Sequence, residues 1–421
     1  MASPRFLFAS ALVAGSLVLI PAPSRAQPAE GDDPDGEVAT PPADDPEAPA
    51  VEATAPIAAP VEVPAEAPAV DVEPAPAPVD DAPIASVGGY LQPQVRIRQN
   101  SDADNDEDGF RFRRARLTLK GRRSAGEFLV GVEAESELTP DFQLLDGFVW
   151  ARGDLPADGT WRVDLGQVKA PFSRQTLLSD AALMFPEKAE IASLAPDRQI
   201  GARVSVELPG VPMVQLRGGI FNGEGKNQIR NIDENFLYVG RLEVTPMGRG
   251  TPLQEGGFAD FLTIAVDAGT NKIELGVDSE NTVLLGADIA GSWHGISASF
   301  EYLWSHHTFP QMGQPDYHAF GYVGQVGYLL PLSGFFAHKV EVAARFEEID
   351  RNDAVPVDTP GDPNQSTRNI SGALSFYQVG HNVKLQAAFT HYQEVETRSR
   401  NGSDITFAND QLLVQATYRL E

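Results

Sequence analysis

The 421-residue sequence has no cysteine, so no disulfide framework holds the fold. Basic residues are scarce, with 32 Lys and Arg against 59 Asp and Glu and a formal charge of −27. So acidic a chain is a poor match for a phosphate backbone, and no nucleic-acid partner is expected. Long apolar runs are missing too. The longest, Phe6 to Ile20, is too short for a good membrane-spanning helix. From Gly88 onward no stretch has a convincing amphipathic helical period. No Gly-x-Ser-x-Gly elbow or phosphate-cradling loop stands out, since Gly223-Glu-Gly225-Lys226 is a loop and not a strand–helix junction. No enzyme activity, catalytic residue or cofactor is therefore expected.

What is present begins with Arg5, the apolar run, and Ser24-Arg25-Ala26 before Gln27. A basic start, an apolar middle and a small-x-small site predict a secretory signal peptide over 1–26, cleaved after Ala26. Residues 27–87 then contain no Lys, no Arg and no aromatic residue. They are Pro, Ala and Val with fifteen acids, which cannot bury enough apolar surface to fold and which repel one another. This stretch reads as a disordered, extended spacer in the periplasm. With Arg5 and Arg25 before it, the total of −27 leaves −14 to residues 88–421.

Residues 88–421 alternate with a period of two. In Gly89–Arg98, Leu91, Val95 and Ile97 share one face, and Gln92, Gln94, Arg96 and Arg98 the other. Sixteen such segments occur, near 89–98, 111–121, 126–136, 143–152, 160–169, 199–208, 212–222 and 235–246, then 259–269, 282–292, 296–305, 319–330, 336–348, 367–377, 382–395 and 408–420. Connections after even-numbered segments are mostly short, as at 121–125, 209–211 and 294–295. Those after odd-numbered segments are mostly long and polar, as at 99–110, 223–234, 270–281, 306–318, 350–366 and 396–407. The connection 247–258 is too long for its class.

An even number of antiparallel strands with short turns at one end and long loops at the other predicts an all-β fold. It is a transmembrane antiparallel β-barrel of about sixteen strands in the outer membrane of a Gram-negative bacterium. A barrel of that size is too wide for side chains to fill, so an aqueous channel is expected. Two soluble β-sandwich domains would not explain the loop alternation. Tyr90, Phe148, Trp150, Trp161, Tyr238, Trp293, Tyr302, Trp304, Tyr322, Tyr328, Tyr392 and Tyr418 sit near segment ends, as aromatic girdles require.

The longest connection joins 160–169 to 199–208. Loops of that length are usually functional or disordered. This one keeps Phe172, Leu177, Leu178, Leu183, Met184, Phe185, Ile191 and Leu194, so it can pack, and in a barrel it would fold inward and narrow the hole. Its charged residues, with those at its ends, are Lys169, Arg174, Asp180, Glu187, Lys188 and Arg198. By parity, Arg96, Arg98, Arg114, Arg116, Lys120, Arg203, Arg217 and Arg241 face the lumen, with Glu133, Glu135, Glu243, Asp288, Glu301, Glu341 and Glu347 beside them. Arginines lining a pore lower the barrier for anions, whereas arginines paired with neighbouring carboxylates only hold the wall together. On the fifth segment parity does not decide between Arg162/Asp164 and Gln167/Lys169. Asp104-Asn-Asp106-Glu-Asp108-Gly109 matches half a calcium loop, but the twelfth position is Ala115 instead of the bidentate Glu, so an acidic external loop is the better reading. His306, His307 and His318 read as solvated loop residues without metal-ligand spacing, and no metal is expected.

Phe112-Arg-Arg-Ala-Arg-Leu117, Leu165-Gly-Gln-Val-Lys-Ala-Pro-Phe-Ser173 and Pro196-Asp-Arg-Gln-Ile-Gly-Ala202 carry a family resemblance, joined by Gly219–Gly225, Gly286-Ala-Asp288 and Glu341–Glu347. Over about 88–421 the chain resembles the phosphate-selective porin O/P family of outer-membrane channels. The resemblance implies a homotrimer whose third external loop folds into the pore and whose arginines guide anions to a basic constriction. It implies lipid and lipopolysaccharide around the barrel and small anionic or hydrophilic solutes within it. Two features depart from the family pattern. Pro171–Ala195 holds Arg174 and Lys188 against Asp180, Glu187 and Glu190, and Tyr418-Arg-Leu-Glu421 lacks a terminal aromatic residue. The expectation is a diffusion channel with a preference for anions, phosphate among them. The alternatives are a non-selective or cation-preferring channel, or a closed structural barrel that anchors the envelope through its acidic spacer.

Overall fold

The computed structural model describes residues 84–99, 108–139, 141–210, 213–248, 253–275, 278–310, 315–354, 366–394, 398–400, 403–405 and 410–420. The signal peptide, the spacer up to residue 83 and Asp104–Glu107 of the acidic loop lie outside them. The strands are β1 (Ile84–Arg98), β2 (Gly109–Ala125), β3 (Phe128–Glu137), β4 (Gln143–Leu155), β5 (Gly159–Lys169), β6 (Arg198–Leu208), β7 (Met213–Phe221) and β8 (Leu237–Gly248). Then come β9 (Phe261–Leu275), β10 (Asp278–Trp293), β11 (Ile296–Thr308), β12 (Tyr317–Leu329), β13 (Val340–Asp350), β14 (Thr367–Val379) and β15 (Val383–Glu394). After a small hairpin, β16 (Arg398–Arg400) with β17 (Ser403–Ile405), the chain ends in β18 (Gln411–Leu420).

From β1 to β15 each strand pairs with the next in sequence, β15 pairs with β18, and β18 closes on β1 from Gly89↔Leu420 to Arg98↔Gln411. The result is a closed antiparallel barrel of sixteen strands. Closure leaves no unpaired edge, which is what a sheet in lipid requires. The outward face is apolar, with Leu117, Leu119, Val132, Val149 and Leu165 all more than a third exposed. The inward face carries Gln92, Gln94, Arg114, Asp164, Arg241 and Glu301, all buried. This inside-out pattern suits a barrel whose exterior solvent is hydrocarbon.

Several expectations need correction. β1 begins at Ile84, inside the expected spacer, because Ile84-Ala-Ser-Val87 is free of proline and pairs with Leu119–Arg122. The expected long loop 270–281 is mostly strand, since β9 and β10 stay paired out to Leu275↔Asp278. His306 and His307 lie on β11 and His318 on β12, where the His306 and His318 rings stack at 4.2 Å; they are not loop residues. Four expected girdle aromatics point inward instead, among them Tyr392, which pairs with the buried inner-face Asn369. Tyr90 and Phe148 are buried, and the Arg162 guanidinium lies over Phe148 and Trp150, because these residues share parity with the polar face. Trp293, Tyr238 and Tyr418 do face outward, 64%, 48% and 54% exposed.

Candidate functional site

Between β5 and β6 the chain does not leave the barrel. Residues 170–197, with the one-turn helix α1 (Arg174–Leu177), touch strands around most of the circumference. The backbone N–H groups of Arg174 and Gln175 donate to the Glu301 carboxylate on β11 at 2.8 and 3.0 Å. Glu190 N–H donates to Glu347 on β13 at 2.6 Å, and Lys384 and Gln386 on β15 donate to the Leu183 and Met184 carbonyls at 2.6 and 2.7 Å. Gln92 on β1 donates to the Asp180 carbonyl at 3.2 Å. A segment can meet β1, β11, β13 and β15 at once only from inside a closed barrel.

Apolar contacts seat it. Phe172, Ala189 and Ile191 pack with Phe221, Leu237, Val239, Leu284, Leu303 and Val323, which replace polar residues on the inner face near the long-loop end. Met184 and Phe185 pack with Ala343, Ala373 and Ala388. Phe172, Leu178, Leu183, Met184, Phe185 and Ile191 are each at most 2% exposed, and full burial of such a side chain is worth roughly 1.5–3 kcal/mol. The β12 wall makes room: a Cβ on Gly327 would lie 2.6 Å from Met184 Sδ, and one on Gly321 would lie 3.2 Å from Ile191 Cγ1.

Opposite this packed side stands β2. Gln92 pairs with Arg114 but Pro93 pairs with Phe112, so Arg113 is an extra residue in the ladder. Pro93 has no N–H to contribute, and a bulge is where proline is tolerated within a sheet. The bulge resets the parity. Arg111 and Arg113 turn inward together with Arg114 and Arg116, while Phe110 and Phe112 remain outside, 93% and 59% exposed. Arg113 Nε meets Glu187 at 2.5 Å, Arg114 meets Glu187 at 3.0 Å and Asp180 at 3.3 Å, and Arg116 meets Asp180 at 2.8 Å. Burial opposes the charge on Asp180, but Arg114, Lys188 and Arg116 more than offset it and hold its carboxyl well below the usual range. Glu187 is lowered in the same way by Arg114 and Arg113 against burial.

The other charged residues divide between wall and segment. Arg198 is bonded to Asp146 at 2.9 Å and lies 3.3 Å from Glu135, which Arg116 also holds at 3.1 Å. Lys169 and Lys188 both donate to the Thr176 carbonyl, at 2.8 and 2.9 Å. Arg203 meets Asp164 at 2.9 Å, Lys120 lies 3.7 Å from Glu133, and Arg217 bonds to Gln215. Arg98 reaches Gln411 at 3.3 Å, and Arg96 is buried on the inner face. Arg241 is 1% exposed and clamped by Glu243, Asp267 and Asp288 at 2.9, 3.0 and 2.6 Å, so it faces carboxylates and not open lumen. Arg174 lies on that acidic side with Glu301, and burial lowers its pKa against the pull of the carboxylates.

On β5 the undecided parity resolves both ways. Arg162 pairs with Asp164 and Glu133, whereas Gln167 and Lys169 bond to the long-loop side of the interior. Gly166, at φ 134°, separates the two sets. Parity alone would have found Arg345, whose guanidinium lies 4.0 Å from the Phe185 ring centroid. Arg111 and Arg113 were hidden by the bulge, for which Pro93 is the signal. Glu255 was hidden in an irregular connection.

Three cavities lie along the β2–β3 side of the interior. At the long-loop end one of ≈ 520 Å³ is lined by Arg113, Arg114, Arg116, Lys188, Arg198 and Lys226 against Glu137, Asp141, Asp180 and Asp197. Towards the short-turn end lie two more, of ≈ 350 and ≈ 410 Å³, sharing Thr118, Lys120 and Glu135. The ion-paired band of Arg116, Glu135, Arg198 and Asp146 stands between upper and lower cavities, faced by Asp180.

A closed sixteen-stranded barrel with an apolar exterior, a charged interior and a loop laid inside it is the architecture of an outer-membrane porin. The chain belongs to the family of phosphate-selective porins O and P, whose model matches residues 86–263 and 280–420. Among solved structures, a loop L8 deletion mutant of OmpT, an outer membrane protein of Vibrio cholerae, has a TM-score of 0.55 at 10% identity, covering 81% of this chain and 100% of that one. The trimer form of in-vitro folded OmpT gives 0.55 at 9% identity over 81% and 100%. The outer membrane channel DcaP of Acinetobacter baumannii gives 0.50 at 12% over 81% and 99%. At such identities the likeness is one of fold. No curated protein matches the chain.

Proposed function

We propose that the protein is a passive diffusion channel for small hydrophilic solutes with a moderate preference for anions, phosphate among them, and that residues 170–198 form its constriction. The carrying observation is the arginine wall of β2, where the bulge at Arg113 brings Arg111, Arg113, Arg114 and Arg116 to the inner face beside the upper cavity. Solutes enter from the long-loop end, which faces outward among lipopolysaccharide. They pass the band of Arg116, Glu135, Arg198 and Asp146 and leave through the lower cavities. Fixed charges in a narrow, partly dehydrated passage act more strongly than in bulk water, so this wall outweighs the acidity of the chain as a whole. Pairing of Asp180 and Glu187 with the arginines keeps the preference moderate.

The reading includes a homotrimer with both chain termini of the barrel on the periplasmic side, where the acidic spacer extends. The trimer form of OmpT and the family are its support. The test is the reversal potential of purified protein in a planar bilayer across a salt gradient. An anion-signed potential is expected. A cation-signed potential, or pure protein that forms no channels, contradicts the proposal.

A further inference from the structure

The connection between β8 and β9 is too long for the short-turn end, and residues 253–257 of its described part fold up into the barrel before 258–260 return to the surface. Glu255 is 4% exposed there, and its backbone N–H donates to the Ala182 carbonyl at 3.1 Å. Its carboxylate accepts from Met184 N–H at 2.8 Å, from Gln175 Nε2 at 3.3 Å and from Gln325 Nε2. Its carbonyl bonds to His381 Nε2 at 2.8 Å, in the turn between β14 and β15. Phe258 anchors the same stretch edge-on against Tyr377 and His381, with ring centroids 4.8 and 5.3 Å apart. Gly256 takes φ 93°, and a Cβ on Gly257 would lie 2.2 Å from the Gly295 carbonyl oxygen, so two glycines are needed for the chain to enter here.

One carboxylate thus gathers donors from the helical turn, from the tip and from the wall. A buried carboxylate is costly unless such donors satisfy it, and charge-assisted hydrogen bonds are the strong ones. We propose that residues 253–258 are a strut reaching from the short-turn end to the tip of the inserted segment. Glu255 is its positioning residue: by pinning Ala182–Met184 against β11–β15 it keeps that side of the lumen filled and sets the width left open along β1–β7. The conduction half of this inference rests on the channel reading; the pinning half does not.

The chain has no native cysteine, so one introduced thiol reports cleanly. Ser375 on β14 is 1% exposed and donates to the Met184 carbonyl at 3.3 Å, beneath the pinned tip. Ser375→Cys in the folded barrel should resist a bulky water-soluble maleimide. Adding Glu255→Ala should speed its labelling at least tenfold while heat-modifiable migration on a gel persists, and Glu255→Gln should fall between. Equal protection with and without Glu255 overturns the strut.

Should Glu255→Ala fail to fold, the pair Ala182→Cys with Glu255→Cys replaces it. Their disulfide holds the tip in the folded barrel, and reduction should then raise single-channel conductance reversibly. Unchanged conductance on reduction overturns the proposal. A protein silent in bilayers whose Ser375→Cys labelling still depends on Glu255 sinks the channel reading and leaves the strut standing.

Discussion

Replacing Arg114 and Arg116 together with alanine tests the arginine wall most directly. Both are on the inner face and both hold Asp180. A unit charge ~10 Å from the solute path changes an ion's energy by ~0.4 kcal/mol in water. Two charges give ~0.8 kcal/mol, with opposite signs for cation and anion, so the anion-to-cation permeability ratio should fall roughly fifteenfold without screening. At 0.1 M salt one Debye length is ~10 Å, and the change shrinks to roughly threefold. The double variant should therefore move the reversal potential towards cations, and more so in dilute salt. It should also become pH-sensitive. Asp180 is held low by Arg114, Lys188 and Arg116, and Glu187 by Arg114 and Arg113, so their share of wild-type selectivity should stay flat as pH drops from 7 towards the ordinary carboxylate range. Without Arg114 and Arg116, with Lys188 left beside Asp180 and Arg113 beside Glu187, both carboxyls rise, protonate at higher pH than in wild type and give back part of the lost anion preference. A reversal potential that stays put in the double variant, with the barrel folded, would falsify the wall as the source of selectivity.

Four further outcomes follow from other parts of the barrel. Gly327→Leu should push Met184 off β12 and change single-channel conductance without altering heat-modifiable migration; an identical conductance would mean the segment does not depend on that contact. Arg241→Ala leaves Glu243, Asp267 and Asp288 buried without their cation, and breaking such a cluster costs about 3–5 kcal/mol. Its urea midpoint should drop well below that of Arg217→Ala, with little change in reversal potential. Burial, then Lys384 and Arg419, depress the His381 pKa to about 3 against the pull of its bond to the Glu255 carbonyl. A depressed histidine lends stability above ~6.5 that is lost as pH falls towards 3, so the urea midpoint should fall over that window more steeply in wild type than in His381→Gln. Deleting Asp32–Pro78 should leave a folded, conducting barrel, because that stretch has no aromatic residue to dock; loss of heat-modifiability would say otherwise.

The sixteen strands were legible because a lipid-facing wall enforces the period of two nearly everywhere. Leu117 and Leu119 must alternate with Arg116 and Lys120, since a slip of one residue would put a guanidinium into hydrocarbon. Connections were less legible. The pairs Asn271↔Thr282 and Ile273↔Glu280 extend the β9–β10 hairpin beyond the lipid, where polar residues are tolerated on both faces and alternation no longer marks a strand. The histidines on β11 and β12 were misread for the same reason. The inward fold of 170–197 was legible from its apolar residues, because a long loop holding Phe172, Met184, Phe185 and Ile191 must find somewhere dry.

What parity could not yield is the concentration of charge at one place. Strict alternation spaces inward residues two apart, so a regular strand cannot put Arg113 and Arg114 on the same face. The bulge removes that limit. It inserts one residue opposite Gln92-Pro93, and both neighbours then reach the segment: Arg113 and Arg114 share Glu187, while Arg114 and Arg116 share Asp180. The strut answers a similar limit from the other end. Side chains of a barrel this wide cannot meet across the lumen, so the segment needs a second piece of backbone beneath it. The connection 247–258 was conspicuous for its length, and its described part supplies that backbone. Two irregularities of the sequence, a proline within β1 and an overlong turn, thus mark the two faces between which the inserted segment is held.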